Sequence, residues 1–97
     1  MSVWIGTFTV VPNEGNNDLD GAKGAVVNAV GFADSVNEFV ELSTQYLINS
    51  AFEVIEVEDV ELFDFKSKDN SKSVLNMAKK VKQDKSIELD TFYTFDE

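Results

Sequence analysis

The chain has no cysteine, no histidine and no arginine among its 97 residues, and a single proline. Without cysteine, disulfides, thiolate metal sites and thiol nucleophiles are excluded. Without histidine there is no side chain that titrates near neutrality in its ordinary state, and the commonest metal ligand is gone. Without arginine, the planar two-point grip on phosphate or carboxylate is missing. Basic residues of any kind are scarce, with eight lysines against eighteen acids and a formal charge of −10. That balance repels nucleic acid and membrane surfaces and attracts basic partners. No apolar run approaches the ~20 residues of a membrane-spanning helix. The opening MSVWIGTF lacks the basic segment and cleavage pattern of a secretory leader, so a cytoplasmic location is expected.

What is present points to a packed core. Hydrophobic residues make up 43% and aromatic residues 11% of the chain, well outside the composition of disordered proteins. The length suits one domain spanning residues 1–97. Charge is distributed unevenly. Residues 1–65 hold twelve acids and one lysine, net −11, whereas residues 66–97 hold seven lysines and six acids, net +1.

Periodicity divides the chain into six elements. Val3–Val11 alternates as a strand, and Pro12 opens the polar loop PNEGNNDLDG. Ala22–Ala33 reads as a second, central strand, with the small residues Ala25, Ala29, Gly31 and Ala33 on one face, where a helix can approach closely. Ser35 and Glu38 have capping-box spacing, and Val36, Phe39, Val40, Ser43 and Leu47 trace a helical stripe running to about Ser50. A strand over Phe52–Phe65 follows. A second helix carries Val74, Ala78 and Val81, and a last strand alternates Ile87, Leu89, Tyr93 and Phe95. The order is β-β-α-β-α-β. Strand–helix–strand units normally form parallel crossovers, so the expectation is an α+β two-layer sandwich: a four-stranded mixed sheet with both helices on one face.

The stretch FEVIEVEDVELFDF, Phe52–Phe65, concentrates both strand character and acid. Ile55 and Val57 share one parity, Val60 and Leu62 the other. A regular strand cannot place all four on one face, so an extra residue near Glu58–Asp59, a bulge, is expected. Glu56 and Glu58 then lie on one side of the strand, Cα atoms ~6.5–7 Å apart by strand rise. Two carboxylates at that distance suit glycoside hydrolysis, but a chain of this size with one tryptophan, Trp4, has little from which to build a sugar cleft. Their plainer role is a solvated face or edge that discourages strand-to-strand aggregation.

Other catalytic and ligand patterns are incomplete. Asn16–Gly21, NNDLDG, matches the first half of a calcium loop. The twelfth position, which needs a bidentate acid, is Val27. No serine has a histidine partner or a lysine three residues on, which argues against acyl transfer. The lysines Lys66–Lys85 have no aromatic residue among them to stack a base, and those at the second helix's end complement its dipole. Accordingly no catalytic residue, cofactor or metal ligand is assigned.

The function expected from these features is non-catalytic binding of a basic protein. Glu38, Glu41, Glu56, Glu58, Asp59, Glu61 and Asp64 would form the contact surface. In being small, acidic and free of cysteine, the chain is similar to bacterial immunity proteins, which neutralise cationic nuclease toxins. That similarity implies a toxin or nuclease as the partner; a phage-type inhibitor falls in the same class. Two alternatives stay open: a small-molecule- or metal-binding domain using carboxylates, and an assembly subunit pairing through an edge strand or an exposed aromatic such as Trp4 or Tyr93.

Overall fold

The computed structural model describes residues 1–96. Its centre is an antiparallel pair: β1 (Ser2–Pro12) and β2 (Gly24–Ala33) match from Ser2 opposite Ala33 to Val10 opposite Ala25. Because side chains alternate, this register gives the pair two different faces. Gly6, Phe8 and Val10 share one with Ala25, Val27, Ala29 and Gly31; Val3, Ile5, Thr7, Thr9 and Val11 share the other with Val26, Asn28 and Val30.

Helix α1 (Val36–Asn49) covers the first face, where Phe8, Val10, Ala25, Val27, Phe39, Leu47 and Phe52 form the larger core. The small-residue row expected in β2 is what admits the helix. A Cβ added at Gly31 would come within 3.2 Å of the Phe39 ring, as would one at Gly6. Phe39 thus seats over both central strands, edge-on to Phe8 at 6.2 Å. The helix starts at the expected Ser35 cap, with Glu38 reaching back one residue beyond the capping-box partner. The Glu38 N–H donates to Ser35 Oγ at 3.1 Å, and the Glu38 carboxylate accepts from the Asp34 N–H at 3.0 Å, a cap worth about 1 kcal/mol. At its far end Ala51 adopts a left-handed φ of 68°. Its carbonyl accepts from the Asn13 N–H and from the Asn16 side-chain amide, which clamps the β1–β2 loop to the corner.

The α+β class holds; three finer expectations do not. First, the sheet is not mixed. Strand β3 (Phe52–Leu62) pairs antiparallel with β1, giving the order β3-β1-β2-β4. The crossover from β2 through α1 steps over β1, so β2 and β3 run the same way without touching. The far edge of β2 is occupied by the last strands, which leaves β1 as the place for β3 to pair. Second, the helices lie on opposite faces. Helix α2 (Lys72–Asp84) packs Ala78 and Val81 against Val3, Val30 and Phe63, on the side away from α1. Both faces of β1 and β2 carry apolar residues, and one helical layer cannot cover both.

Third, the final strand is two strands, making five among the described residues. β4 (Ile87–Leu89) pairs with Ala29–Gly31, and β5 (Tyr93–Phe95) pairs with Gly24–Val26. Between them Asp90 N–H donates to Asn28 O, and Phe92 turns inward to stack on Phe52 at 5.3 Å. The interruption changes the parity. Ile87 and Leu89 lie on the α1 face, opposite Gly31 and Ala29, whereas Tyr93 and Phe95 fall on the other face, opposite Val26 and Gly24.

Two substitutions test this packing. Gly31→Ala would drive a methyl to 2.1 Å from Ile87 Cδ1 and is expected to cost about 1–3 kcal/mol by overpacking. Ser43, fully buried on α1 with no partner for its hydroxyl, should gain about 1 kcal/mol as Ser43→Ala, because an unsatisfied buried group is removed. Urea unfolding checks both; a neutral Gly31→Ala would contradict the close packing of Ile87 and Phe39 over Gly31.

Candidate functional site: the acid-rimmed open sheet face

The expected bulge in β3 is present, together with a second. Between Ile5 opposite Glu61 and Thr7 opposite Glu58, β3 holds one residue more than β1, and Asp59 there takes a left-handed φ of 53°. A further shift lies between Thr9 opposite Glu56 and Val10 opposite Val54. It ejects Ile55, which is 54% exposed, so Val54 rather than Ile55 joins Val57 and Val60 against the α1-side core. The two bulges also sort the acids. Glu53, Glu56, Glu58 and Glu61 stand opposite Val11, Thr9, Thr7 and Ile5, and so project from one face of the sheet, away from α1.

The seven acids named from sequence do not form one surface. Glu56, Glu58 and Glu61 belong to this row. Asp59 sits at the bulge, and Asp64 lies in the following loop, where its carboxylate accepts from the Lys66 N–H. Glu38 and Glu41 are carried by α1, beyond the opposite face, and Glu38 is engaged in the helix cap. Glu53 completes the row; it belongs to the acid-rich stretch but is not among the contact residues expected from sequence. It lies three positions from Glu56, the wrong parity for a shared face until the bulge at Ile55 intervenes.

The rest of this face is half bare. Helix α2 covers the end at Val3, Ile5 and Val30. Beyond it, Thr7, Thr9 and Val11 of β1 and Val26 and Asn28 of β2 remain partly exposed, with the Thr7 hydroxyl donating to the Asn28 side-chain oxygen at 2.8 Å. On the side away from Glu56, Phe95 lies across Gly24 and Tyr93 is 63% exposed. Trp4, the other aromatic considered from sequence, is committed to the α1 side, where its indole N–H donates to Ala33 O at 3.1 Å.

Electrostatically the row is unneutralised. Among the described residues, ion pairs join the N-terminus to Asp34 and Lys80 to Glu88; none involves Glu53, Glu56, Glu58 or Glu61. The Glu58 carboxyl is held above its ordinary value chiefly by the charge of Glu56, with smaller contributions from burial, a hydrogen bond with Glu56 and the charge of Asp59. Two carboxylates this close resist joint ionisation.

Elsewhere the chemistry is sparse. In the NNDLDG loop, the Asn16 side chain accepts from the Asp18 N–H and donates to Ala51 O, and Leu19 is buried in the core. The half-motif therefore serves to anchor the loop. Among the described residues no three acids converge as a metal cluster. Among the described residues, one open hollow of about 660 Å³ lies beside Asp18, Asp20 and Asp96 and another of about 470 Å³ beside Glu61, Asp64 and Asp69. Among the described residues no helix is long and apolar enough to cross a membrane. Compared with protein-family models, curated proteins and solved structures, the chain matches none.

The strain between Glu56 and Glu58 has a pH signature. A carboxyl whose folded pKa is raised binds its proton more readily folded than unfolded, so its ionisation opposes folding above the raised value. Glu58→Gln should therefore melt higher than the parent at pH 7. The gap should close as pH falls through the raised value toward and below 4.5, the ordinary glutamate value. Melting curves across that range decide it, and a gap that widens on acidification would contradict the sign.

Proposed function

We propose that the protein is a small non-catalytic binding module that masks a basic surface on another protein, in the manner of an immunity protein or inhibitor. What carries this reading is the row Glu53, Glu56, Glu58 and Glu61, four carboxylates on one face of an edge strand with no lysine among the described residues paired to them. Holding four like charges in a row is unfavourable in isolation. A cationic partner converts that repulsion into attraction, speeds encounter and excludes acidic competitors. Glu56, Glu58 and Glu61 are the contact residues, joined by Glu53; Asp59 and Asp64 extend the acidic edge. Glu38 and Glu41 project from the other side of the molecule and lie outside the contact. The reading needs no cofactor and places the encounter in the cytoplasm, with a nuclease or toxin as the fitting kind of partner.

Charge reversal separates this surface from the rest of the acidic molecule. The protein, immobilised, should retain a basic protein from source-cell lysate at low salt and release it at high salt. Glu58→Lys should weaken retention at least tenfold, while Glu41→Lys on α1, the same change in charge, leaves it within about twofold, since contacts at the centre of an interface dominate its energy. Equal loss in both variants would reduce the effect to net charge and overturn the assignment of the face.

A further inference from the structure

The open face has a shape as well as a charge, and the shape narrows the kind of partner. β1 has 11 residues, a span of roughly 36 Å at the rise of a strand. α2 has 13 residues, a length of about 20 Å. Even laid along the strands, α2 leaves much of its face bare, whereas the opposite face has the larger core and α1 over it. The bare part is floored by four strands, β3, β1, β2 and β5, about 14 Å across at the usual strand spacing. A helix with its side chains is ~10–12 Å wide, so one helix fits this floor. An added strand would seek an edge instead.

The floor is graded across its width. Its middle is apolar or methyl-bearing, with Thr9 and Val11 beside Val26, and one margin is aromatic, with Phe95 and Tyr93. The other margin is the unpaired carboxylate row. On the α2 side, Lys80 is already paired with Glu88 at 2.8 Å. We propose that this vacant half-face seats a basic amphipathic helix of the partner, its apolar stripe on Val11, Val26 and Phe95 and its cationic flank along Glu53, Glu56 and Glu58. The seat rests on the masking function proposed above and specifies the element the partner presents. Complementary charge selects the flank, and the apolar floor sets the helix orientation, since an unstriped cationic segment gains nothing from Val26 or Phe95.

The test uses two synthetic peptides of identical lysine and leucine composition, one with leucines at i, i+3, i+4 and i+7 and one scrambled. Each is titrated into the isotope-labelled protein with anisotropy and amide chemical shifts as readouts. The expected result is at least tenfold tighter binding of the striped peptide, with shifts centred on Thr9, Val11, Val26 and Tyr93. Tyr93→Ala, an exposed position, should cut the preference several-fold without loss of the circular dichroism spectrum. Equal, salt-sensitive binding of both peptides, lost in Glu56→Gln with Glu58→Gln, would overturn the helix seat and leave the basic-surface reading standing. Shifts centred on Leu42 and Tyr46 of α1 would also overturn the seat. Binding of neither peptide would overturn both.

Discussion

Phe39 closes the larger core by entering a hollow that the sheet leaves open at Gly6 and Gly31. These glycines sit on neighbouring central strands, and a methyl at either would crowd the ring at 3.2 Å and meet Val60 or Ile87 closer still. Around this contact the Phe8 edge, Leu47, Val57 and Phe52 assemble into one apolar layer. The position of α1 then decides much else. With α1 committed to that face, the apolar residues on the reverse of the sheet need a second layer, and α2 supplies it over one end alone. The bare half-face follows from a helix too short for the strands beneath it.

The same arrangement turns an acidic composition into an acidic face. The first two-thirds of the chain carries all of the net negative charge, but charge spread evenly over a surface recognises nothing in particular. β3 concentrates it because two bulges bring Glu53, Glu56, Glu58 and Glu61 to one side while Val54, Val57 and Val60 stay with the core. Bulges and acids on an exposed edge also blunt its capacity to pair with another strand. One segment thereby protects the molecule from association through its edge and offers a charged margin on its face.

Much of this was legible from local pattern. Ser35 and Glu38 mark a helix start, and the structure makes the Ser35 cap bond, while the Glu38 carboxylate reaches one residue further back, to the Asp34 N–H. The parity conflict between Val57 and Val60 requires a bulge, and Asp59 supplies it with a backbone angle that few residues adopt. Ile55 was not legible, since alternation favours it over Val54 and the second bulge depends on how β1 and β3 meet. Nor were Tyr93 and Phe95. Their spacing from Leu89 places them on its face, and the turn of Phe92 toward Phe52 places them on the opposite one.

By itself, then, the sequence determined the α+β class, most element positions, the helix caps, the acid-rich strand and the absence of thiol, imidazole and guanidinium chemistry. These depend on residue type and on contacts within a few positions, where spacing is geometry. Strand order, the antiparallel sheet, the opposed helices and the gathering of the acids were decided by the tertiary structure. Each depends on which edge of β1 or β2 was free and which face was already covered. Such competition among distant segments is settled by packing of the whole chain, and no local window contains it.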